Sequence, residues 1–241
     1  MKPARIEHQF DYPYTWDQVA YGDWARTQLQ TRLDEWLPTL FGYHLLKLGG
    51  LSCELVSEQC NIQHQVCVDQ HNPMRNVTAT HYALPFIEKS FDACVLAHQL
   101  DYSDDPHRLL REVDRVMIDD GCLIISGVNP ASFLGVKKVL RGRHQRLPWG
   151  GRMFSPLRVK DWLSVMNYEV VEAHQMGLWP THRPSARHAW VESSASMVTP
   201  ALGSIYLIIA RKRSYPLKPI KPRWKLKQAV SPLGGVVPNG G

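Results

Sequence analysis

The segment FDACVLA (Phe91–Ala97) is followed by DPHRLLREVDRVM (Asp105–Met117) and then by CLIISGV (Cys122–Val128). The first segment is an apolar run too short for a helix and is followed by turn-forming residues, which predicts a buried strand. The second begins with an N-cap acid and a proline and then repeats apolar residues every three or four positions, which predicts an amphipathic helix. Asp119–Gly121 (DDG) is predicted to end that helix before a third apolar segment. The order strand, helix, strand is the unit of a parallel sheet covered by helices, so the sequence predicts an α/β fold.

Four short motifs follow one another at regular spacing in this region. They are LPF at Leu84–Phe86, SFD at Ser90–Asp92, the helix DPHRLLREVDRVM, and DDGCLIISG at Asp119–Gly127. Together they resemble the second half of a class I S-adenosylmethionine-dependent methyltransferase of the small-molecule type. The resemblance covers residues 40–130 well and extends loosely to residue 212. It implies a seven-stranded, mostly parallel Rossmann-like methyltransferase sheet with helices on both faces, S-adenosylmethionine as cofactor, and transfer of a methyl group to a small or mid-sized acceptor.

The remaining elements are predicted from apolar runs and their boundaries. Further helices are predicted over Asp23–Leu40 and Pro156–Val165. Strands are predicted at Tyr43–Leu48, Gln63–Asp69, Val77–Thr80, Phe91–Ala97, Cys122–Ser126, Tyr168–Ala173 and Ser204–Ala210. The predicted organisation is an N-terminal helical cap over residues 1–42, a methyltransferase-like domain over 43–212 with inserts near 131–155 and 177–203, and a basic, Pro/Gly-rich, disordered tail over 213–241.

Composition restricts the class of protein. The chain has 241 residues, of which 44% are hydrophobic, enough for the core of one α/β domain with appendages. No apolar run approaches the roughly 18 residues of a membrane span, and Met1–Asp11 is polar, unlike a signal peptide. We therefore expect a cytoplasmic protein without a transmembrane segment. The cysteines at positions 53, 60 and 67 lack a CxxC pair, so we expect no metal site, and all five cysteines are predicted to be reduced.

Basic residues are concentrated in two segments. Residues 121–160 contain eight Lys or Arg and no acid, and residues 211–227 have the same counts, although the formal net charge is only +6. Such segments attract anions, so they predict an anionic partner: an acidic substrate, a nucleic acid or an anionic membrane surface. The alternative is that they serve only solubility and, in the tail, belong to a disordered terminus.

The loop after the first strand is where the cofactor is expected. Ligands of open α/β sheets lie outside the carboxyl ends of the strands, where loop amides and helix N-termini converge. The resemblance implies an acid two residues before the first glycine and then Gly-x-Gly-x-Gly. Here Gly49 keeps the first glycine and Gly50 follows it, while Lys47, Leu51 and Cys53 occupy the other three positions. We assign Lys47, Gly49 and Gly50 to the cofactor site by position.

Further site residues follow the next strands. Asp69 ends the second strand, where the resemblance implies that a carboxylate accepts the ribose hydroxyls. Thr80, with His81 beside it, stands at the position of the acid that meets the adenine amine. His98 follows the fourth strand, at a position that in the family borders the cofactor sulfur, and Tyr102 comes soon after it. His98 is the first candidate for a general base and Tyr102 the second, in case the acceptor must lose a proton.

Two other functions compete with a small-molecule methyltransferase. The altered glycine loop is compatible with a catalytically inactive binding or interaction protein of the same fold. The two basic segments are compatible with a nucleic-acid-directed methyltransferase, although no recognised RNA-binding motif accompanies them.

Overall fold

The structure is a computed structural model that describes residues 12–19, 21–136, 151–177 and 203–213. The helices are α1 (Gly22–Trp36), α2 (Gly50–Cys53), α3 (Pro106–Val116) and α4 (Pro156–Val165). The strands are β1 (His44–Leu48), β2 (His64–Asp69), β3 (Val77–Thr78), β4 (Phe91–Ala97), β5 (Met117–Val128), β6 (Tyr168–Met176) and β7 (Ile205–Lys212). None of the helices within these described ranges has the length and apolarity that a membrane crossing needs.

The seven strands form one sheet in the order β3-β2-β1-β4-β5-β7-β6. The pairs β1/β2, β1/β4, β2/β3 and β4/β5 are parallel, whereas β7 is antiparallel to both of its neighbours. The direction of the connections reverses between β1 and β4, so their carboxyl ends form the crevice in which such sheets bind ligands. The predicted seven-stranded, mostly parallel Rossmann-like fold is confirmed.

Helices cover both faces of the sheet. On one face, α1 buries Trp24, Ala25, Leu29 and Leu33 against alternate residues of the central strands. On the other face, α3 and α4 bury their apolar stripes against the intervening strand residues. Because successive side chains of a strand point to opposite faces, the nearly continuous apolar β4 and β5 supply both cores at once.

The start of α3 agrees with its sequence signals, but its end does not. The Asp105 carboxylate accepts a hydrogen bond from the Arg108 N–H at 3.0 Å, and Pro106 is the first helical residue. The helix ends at Val116, and the chain passes directly into β5. The prediction that Asp119–Gly121 (DDG) ends the helix is therefore wrong. These residues lie within β5, where a register shift between Phe91 and Ala93 of β4 accommodates the extra length.

The N-terminal segment, residues 12–19, is attached to the loop after β1. The Trp16 indole N–H donates to the Leu51 carbonyl at 3.0 Å, and the Trp16 backbone N–H donates to the Glu54 carboxylate at 3.1 Å. Trp16 is 1% exposed. Gly22 is needed at the start of α1, because a Cβ there would lie 1.9 Å from the Trp16 carbonyl oxygen. The segment is thus held over the carboxyl ends of the strands.

Much of the predicted inserts and tail lies outside the described residues: 137–150, 178–202 and 214–241. The domain boundaries at 42 and 212, the inserts and the disordered tail remain predictions.

Candidate cofactor site

The glycine loop lacks side chains where other parts of the chain come close. Gly49 has φ +91°, and a Cβ there would lie 1.8 Å from the Gln99 side-chain oxygen and 3.0 Å from the Tyr12 hydroxyl. At Gly50 a Cβ would lie 2.3 Å from the Tyr14 carbonyl oxygen. The positive φ favours glycine at position 49, and the close approach excludes larger residues at both positions. Gly49 and Gly50 thus lie against Gln99 and the N-terminal segment, and their predicted cofactor role stays a prediction.

The two carboxylate oxygens of Asp69 differ in their hydrogen bonds. Oδ1 accepts hydrogen bonds from the backbone N–H groups of His71 at 2.8 Å and Asn72 at 2.7 Å. Oδ2 is buried and has no hydrogen-bond partner within the described part of the chain, although His81 Nε2 lies 3.7 Å away. Burial alone would raise the pKa of Asp69, but His81 and the Asn72 and His71 amides outweigh it and lower the pKa. The carboxylate is ionised at neutral pH and offers an acceptor to a ligand.

Tyr12 brings an aromatic ring over this carboxylate. Its ring stacks on His81 with centroids 5.1 Å apart and lies 5.7 Å from Tyr102. Burial, followed by the charge of Asp69, raises the pKa of Tyr12 well above its ordinary value, so the phenol stays neutral. Asn72 fixes the same segment by donating from its side chain to the Tyr14 carbonyl at 2.5 Å. The N-terminal segment therefore packs against the residues that follow β2 and β4.

His98 and Asp101 form a buried pair directly after β4. His98 Nδ1 lies 3.0 Å from Asp101 Oδ2, and both residues are essentially inaccessible to solvent. The same carboxylate oxygen accepts the Val128 N–H at 2.9 Å. The Asp101 oxygen that accepts from Val128 can also accept from His98 Nδ1, and in that tautomer His98 Nε2 is an acceptor. His98 also has φ +53°, an uncommon backbone conformation for a side-chain-bearing residue that is typical of functional sites.

Tyr102 lies in the same loop but is a poor base. Burial, followed by the Asp101 charge, raises its pKa, so it is a phenol at neutral pH and acts only as a hydrogen-bond donor or a packing surface. The predicted catalytic roles of His98 and Tyr102 both stay predictions.

Three residues of this loop, Lys47, Leu51 and Cys53, replace the family pattern, and their side chains point away from Gly49. The Lys47 amine donates to the Leu55 carbonyl at 2.8 Å, and burial lowers its pKa. Cys53 points its sulfur at the Lys47 carbonyl at 3.9 Å, and Leu51 packs in the core on the α1 face. None of the three is among the atoms closest to Gly49. The predicted cofactor role of Lys47 stays a prediction, with its amine committed to a backbone carbonyl.

Thr80 is exposed, and its hydroxyl accepts the Tyr82 backbone N–H at 3.2 Å. Its predicted role at the adenine stays a prediction. Sequence reasoning missed Gln99, Asp101, Asn72 and Tyr12. The three-residue spacing of His98 and Asp101 and the aromatic residues before α1 are the signals that were available.

Cys67 is expected to be the most reactive thiol in the described chain. The neighbouring Cys53 thiol lowers its pKa to about 7, with burial opposing and the Lys47 amine assisting. Burial raises the pKa of both Cys94 and Cys122. Because the thiolate is the nucleophile, iodoacetamide should label Cys67 first, with a rate that rises through pH 7, as mass spectrometry of tryptic peptides can follow. Cys67→Ser should remove this phase, and first labelling at Cys94 or Cys122 would contradict the expectation.

Comparison with known proteins agrees with this fold. A family model described as a methyltransferase domain matches residues 48–125. A curated relative, the uncharacterized protein YafS of Escherichia coli (strain K12), is 41% identical over 237 residues, covering 95% of each chain.

Among solved structures, an S-adenosylmethionine-dependent methyltransferase from Archaeoglobus fulgidus has a TM-score of 0.55 at 18% identity, over 78% of this chain and 94% of that one. One from Mesorhizobium loti has a TM-score of 0.53 at 16% identity, over 76% and 96% of the two chains. The [4+2]-cyclase SpnF shares the fold with a TM-score of 0.52 at 16% identity, over 76% and 81%.

The match to a methyltransferase domain and the shared fold support the class I S-adenosylmethionine-dependent methyltransferase superfamily, a group of transferases with a Rossmann-like sheet. The chain belongs to the same family as YafS of E. coli. The predicted family resemblance is thereby confirmed, and S-adenosylmethionine is the cofactor of that superfamily.

Proposed function

We propose that this protein transfers a methyl group from S-adenosylmethionine to a small or mid-sized acceptor. The observation that carries the proposal is a pair of buried acceptors at the carboxyl ends of the strands, Asp69 Oδ2 and the Gln99 side-chain oxygen. Neither has a hydrogen-bond donor within the described ranges. A buried acceptor without a donor costs about 1–3 kcal/mol, so the site is built for a ligand that supplies donors. Ribose hydroxyls and an ammonium group are donors of the required kind.

The residues present fit this cofactor. Asp69 would hold the ribose hydroxyls, while Gln99 faces the glycine loop, where the main chain can approach the methionine part without a Cβ. Asp69 and Asp101 supply negative charge near a cofactor that carries a sulfonium and an ammonium group. When bound, S-adenosylmethionine supplies a methyl group already activated by the sulfonium, so the chain's task is to position the acceptor and exclude water.

His98 is the residue that we propose removes a proton from the acceptor. Asp101 holds the ring in the tautomer with a basic Nε2, and Trp16, whose ring lies 5.7 Å from His98 edge-on, shields the pair from water. An acceptor whose reacting atom does not need to lose a proton would not need this step, and His98 would then only line the site.

Isothermal titration calorimetry with S-adenosylmethionine, its demethylated product and buffer tests the proposal. We expect saturable binding of both nucleosides to the full chain, with Kd values in the micromolar range typical of enzyme ligands. Absence of binding at millimolar concentration of either nucleoside would contradict it.

The same test bears on a second candidate, an inactive binding protein of this fold. One observation favours that candidate: the Tyr12 hydroxyl and the Gln99 side chain already stand against Gly49. If Tyr12 and Gln99 close the site permanently, neither nucleoside binds. Nucleoside binding would therefore favour the enzyme.

A further inference from the structure

Two cysteine side chains lie together beside the loop that follows β1. Cys53 is the last residue of α2, and its sulfur lies 3.9 Å from the Lys47 carbonyl oxygen. Cys67 is the residue of β2 that pairs with Lys47 of β1, and α2 packs against both of these strands. The two thiols are neighbours, and each shifts the pKa of the other. We refer to Cys53 and Cys67 as the thiol pair.

The two thiols differ in accessibility and in protonation. Cys67 is half-buried, whereas Cys53 is only 5% exposed. The pKa of Cys67 is lowered to about 7 by its neighbour, and the same contact raises the pKa of Cys53. At neutral pH the more accessible sulfur is therefore largely a thiolate, the nucleophilic form, while the buried sulfur keeps its proton.

The Lys47 amine supplies a positive charge beside the thiol pair. The side chain is 7% exposed, and its amine donates to the Leu55 carbonyl at 2.8 Å, which fixes its position. Its charge favours the thiolate of Cys67. A partly exposed thiol next to a cation is the environment in which reactive cysteines are found.

Cys94 and Cys122 are placed differently. Cys94 packs in the core on the α3 and α4 face, and Cys122 packs in the core on the α1 face, so the sheet separates their side chains. Burial raises the pKa of both thiols, which keeps them protonated at neutral pH. They therefore serve as internal controls for the thiol pair.

We propose that Cys67 is a site of oxidation by hydroperoxides, and that Cys53 then joins it in an intramolecular disulfide. In the first step the Cys67 sulfur attacks one oxygen of hydrogen peroxide. An S–O bond forms and the O–O bond breaks, and the departing hydroxide leaves as water with the proton that Cys67 had released. In the second step the Cys53 sulfur attacks the Cys67 sulfur. The S–S bond forms and the S–O bond breaks, and the Cys53 proton leaves with the hydroxide as a second water. The two thiols lose two electrons, which the peroxide gains.

The disulfide would affect α2 more than β2. The Cys67 backbone is held on both sides, because its N–H donates to the Asn76 side-chain oxygen at 2.9 Å and its carbonyl accepts the Asn76 N–H at 2.8 Å. Cys53 belongs to a helix of four residues, and its N–H donates to the Gly49 carbonyl at 3.1 Å. Drawing the two sulfurs to the bond length of about 2.05 Å therefore displaces the glycine loop. The expected loss of cofactor binding rests on the proposed function.

Peptide mapping of the wild-type chain tests the disulfide without any variant. The full chain is treated with equimolar hydrogen peroxide near neutral pH, its remaining thiols are blocked with N-ethylmaleimide in denaturant, and it is digested unreduced with endoproteinase Glu-C. Cleavage after Glu54 and Glu58 places Cys53 and Cys67 on different peptides. We expect these two peptides to be cross-linked, with fragmentation locating the bond at Cys67. A bond to Cys60 instead, or no cross-link, would overturn the proposal.

The rate of oxidation tests whether Cys67 reacts as a thiolate. Because its pKa is lowered to about 7, the rate at which the free Cys67 thiol disappears should rise about tenfold from pH 6 to pH 8 and then level off. Cys94 and Cys122 should stay free over the same time. A further rise of about threefold or more from pH 8 to pH 9, as for an ordinary thiol, would overturn the assignment of Cys67.

Two variants separate the roles of the thiol pair. Cys53→Ser should form no disulfide and should accumulate a Cys67 sulfenic acid, giving about tenfold more dimedone adduct than wild type. Cys67→Ser should give neither product. The matched control is Cys60→Ser, from the same segment, which should form the disulfide as wild type does. Equal dimedone labelling of wild type and Cys53→Ser would overturn the role of Cys53.

Titration of the reduced and oxidised chains with S-adenosylmethionine separates this proposal from the proposed function. We expect binding to the oxidised chain to be weaker by about tenfold or more, and to recover on reduction with dithiothreitol. Equal binding to both forms would overturn the coupling through α2. If the disulfide forms but neither chain binds the nucleoside, the oxidation site stands and the proposed function fails. If the nucleoside binds but no disulfide forms, the proposed function stands and the oxidation site is wrong.

Discussion

Replacing Asp69 with asparagine should weaken S-adenosylmethionine binding by roughly ten- to a hundredfold, the equivalent of about 1.5–3 kcal/mol for a lost hydrogen bond to a charged group. The substitution retains an oxygen for the His71 and Asn72 amides, so the turn after β2 keeps its bonds. In place of Oδ2 it puts an NH₂ group, which donates where the ribose hydroxyls also donate. Calorimetry of the purified variant measures the change in Kd.

The matched control for this prediction is Asp161→Asn, which removes one carboxylate from an exposed position on α4. It should bind the nucleoside as wild type does. Equal thermal denaturation midpoints for the two variants would show that the Asp69 effect is local. An Asp69→Asn Kd within threefold of wild type would show that this carboxylate does not hold the ribose.

Replacing Asp101 with alanine should lower the free energy of unfolding by about 2–6 kcal/mol, because two buried donors lose their acceptor at about 1–3 kcal/mol each. The donors are His98 Nδ1 and the Val128 N–H, at 3.0 Å and 2.9 Å from the same Asp101 oxygen. Urea unfolding followed by circular dichroism measures the loss.

Asp101→Asn is the comparison that isolates the cause. The asparagine oxygen, placed where Oδ2 stood, still accepts from both Val128 and His98, and only the negative charge is lost, so we expect less than half of the alanine effect. A His98→Ala and Asp101→Ala double-mutant cycle should give a loss smaller than the sum of the single losses. A loss below 1 kcal/mol in Asp101→Ala would mean that the pair contributes little to stability.

Local sequence patterns were sufficient to predict most strands of the sheet. The predicted limits of β4 match the structure because an apolar run ends there against turn-forming residues, and Pro156–Val165 was predicted as the helix that is seen. The end of α3 was missed because the two acids and a glycine at Asp119–Gly121 have the composition of a turn. They lie instead where the register of β5 against β4 shifts, between the Phe91–Met117 and Ala93–Cys122 pairs, a feature that depends on a strand distant in the sequence.

The candidate site was only partly accessible to sequence reasoning. Strand ends located Gly49, Asp69 and His98, because the carboxyl ends of parallel strands share one edge of the sheet. The contacts of Tyr12 and Gln99 with Gly49 depend on how distant segments fold over that edge, which no local pattern encodes. Position in the motif also assigned Lys47 to the cofactor site, but it could not show that the Lys47 amine donates to the Leu55 carbonyl.

The attachment of the N-terminal segment has a kinetic consequence. Asn72 holds the Tyr14 carbonyl, and Trp16 is bonded to the Leu51 carbonyl in the very loop that the nucleoside must reach. Under the proposed function, entry and exit of the nucleoside would require these bonds to open. The residence time of the demethylated product would then be set by the rate at which residues 12–19 detach. Product release, and not methyl transfer, would limit turnover.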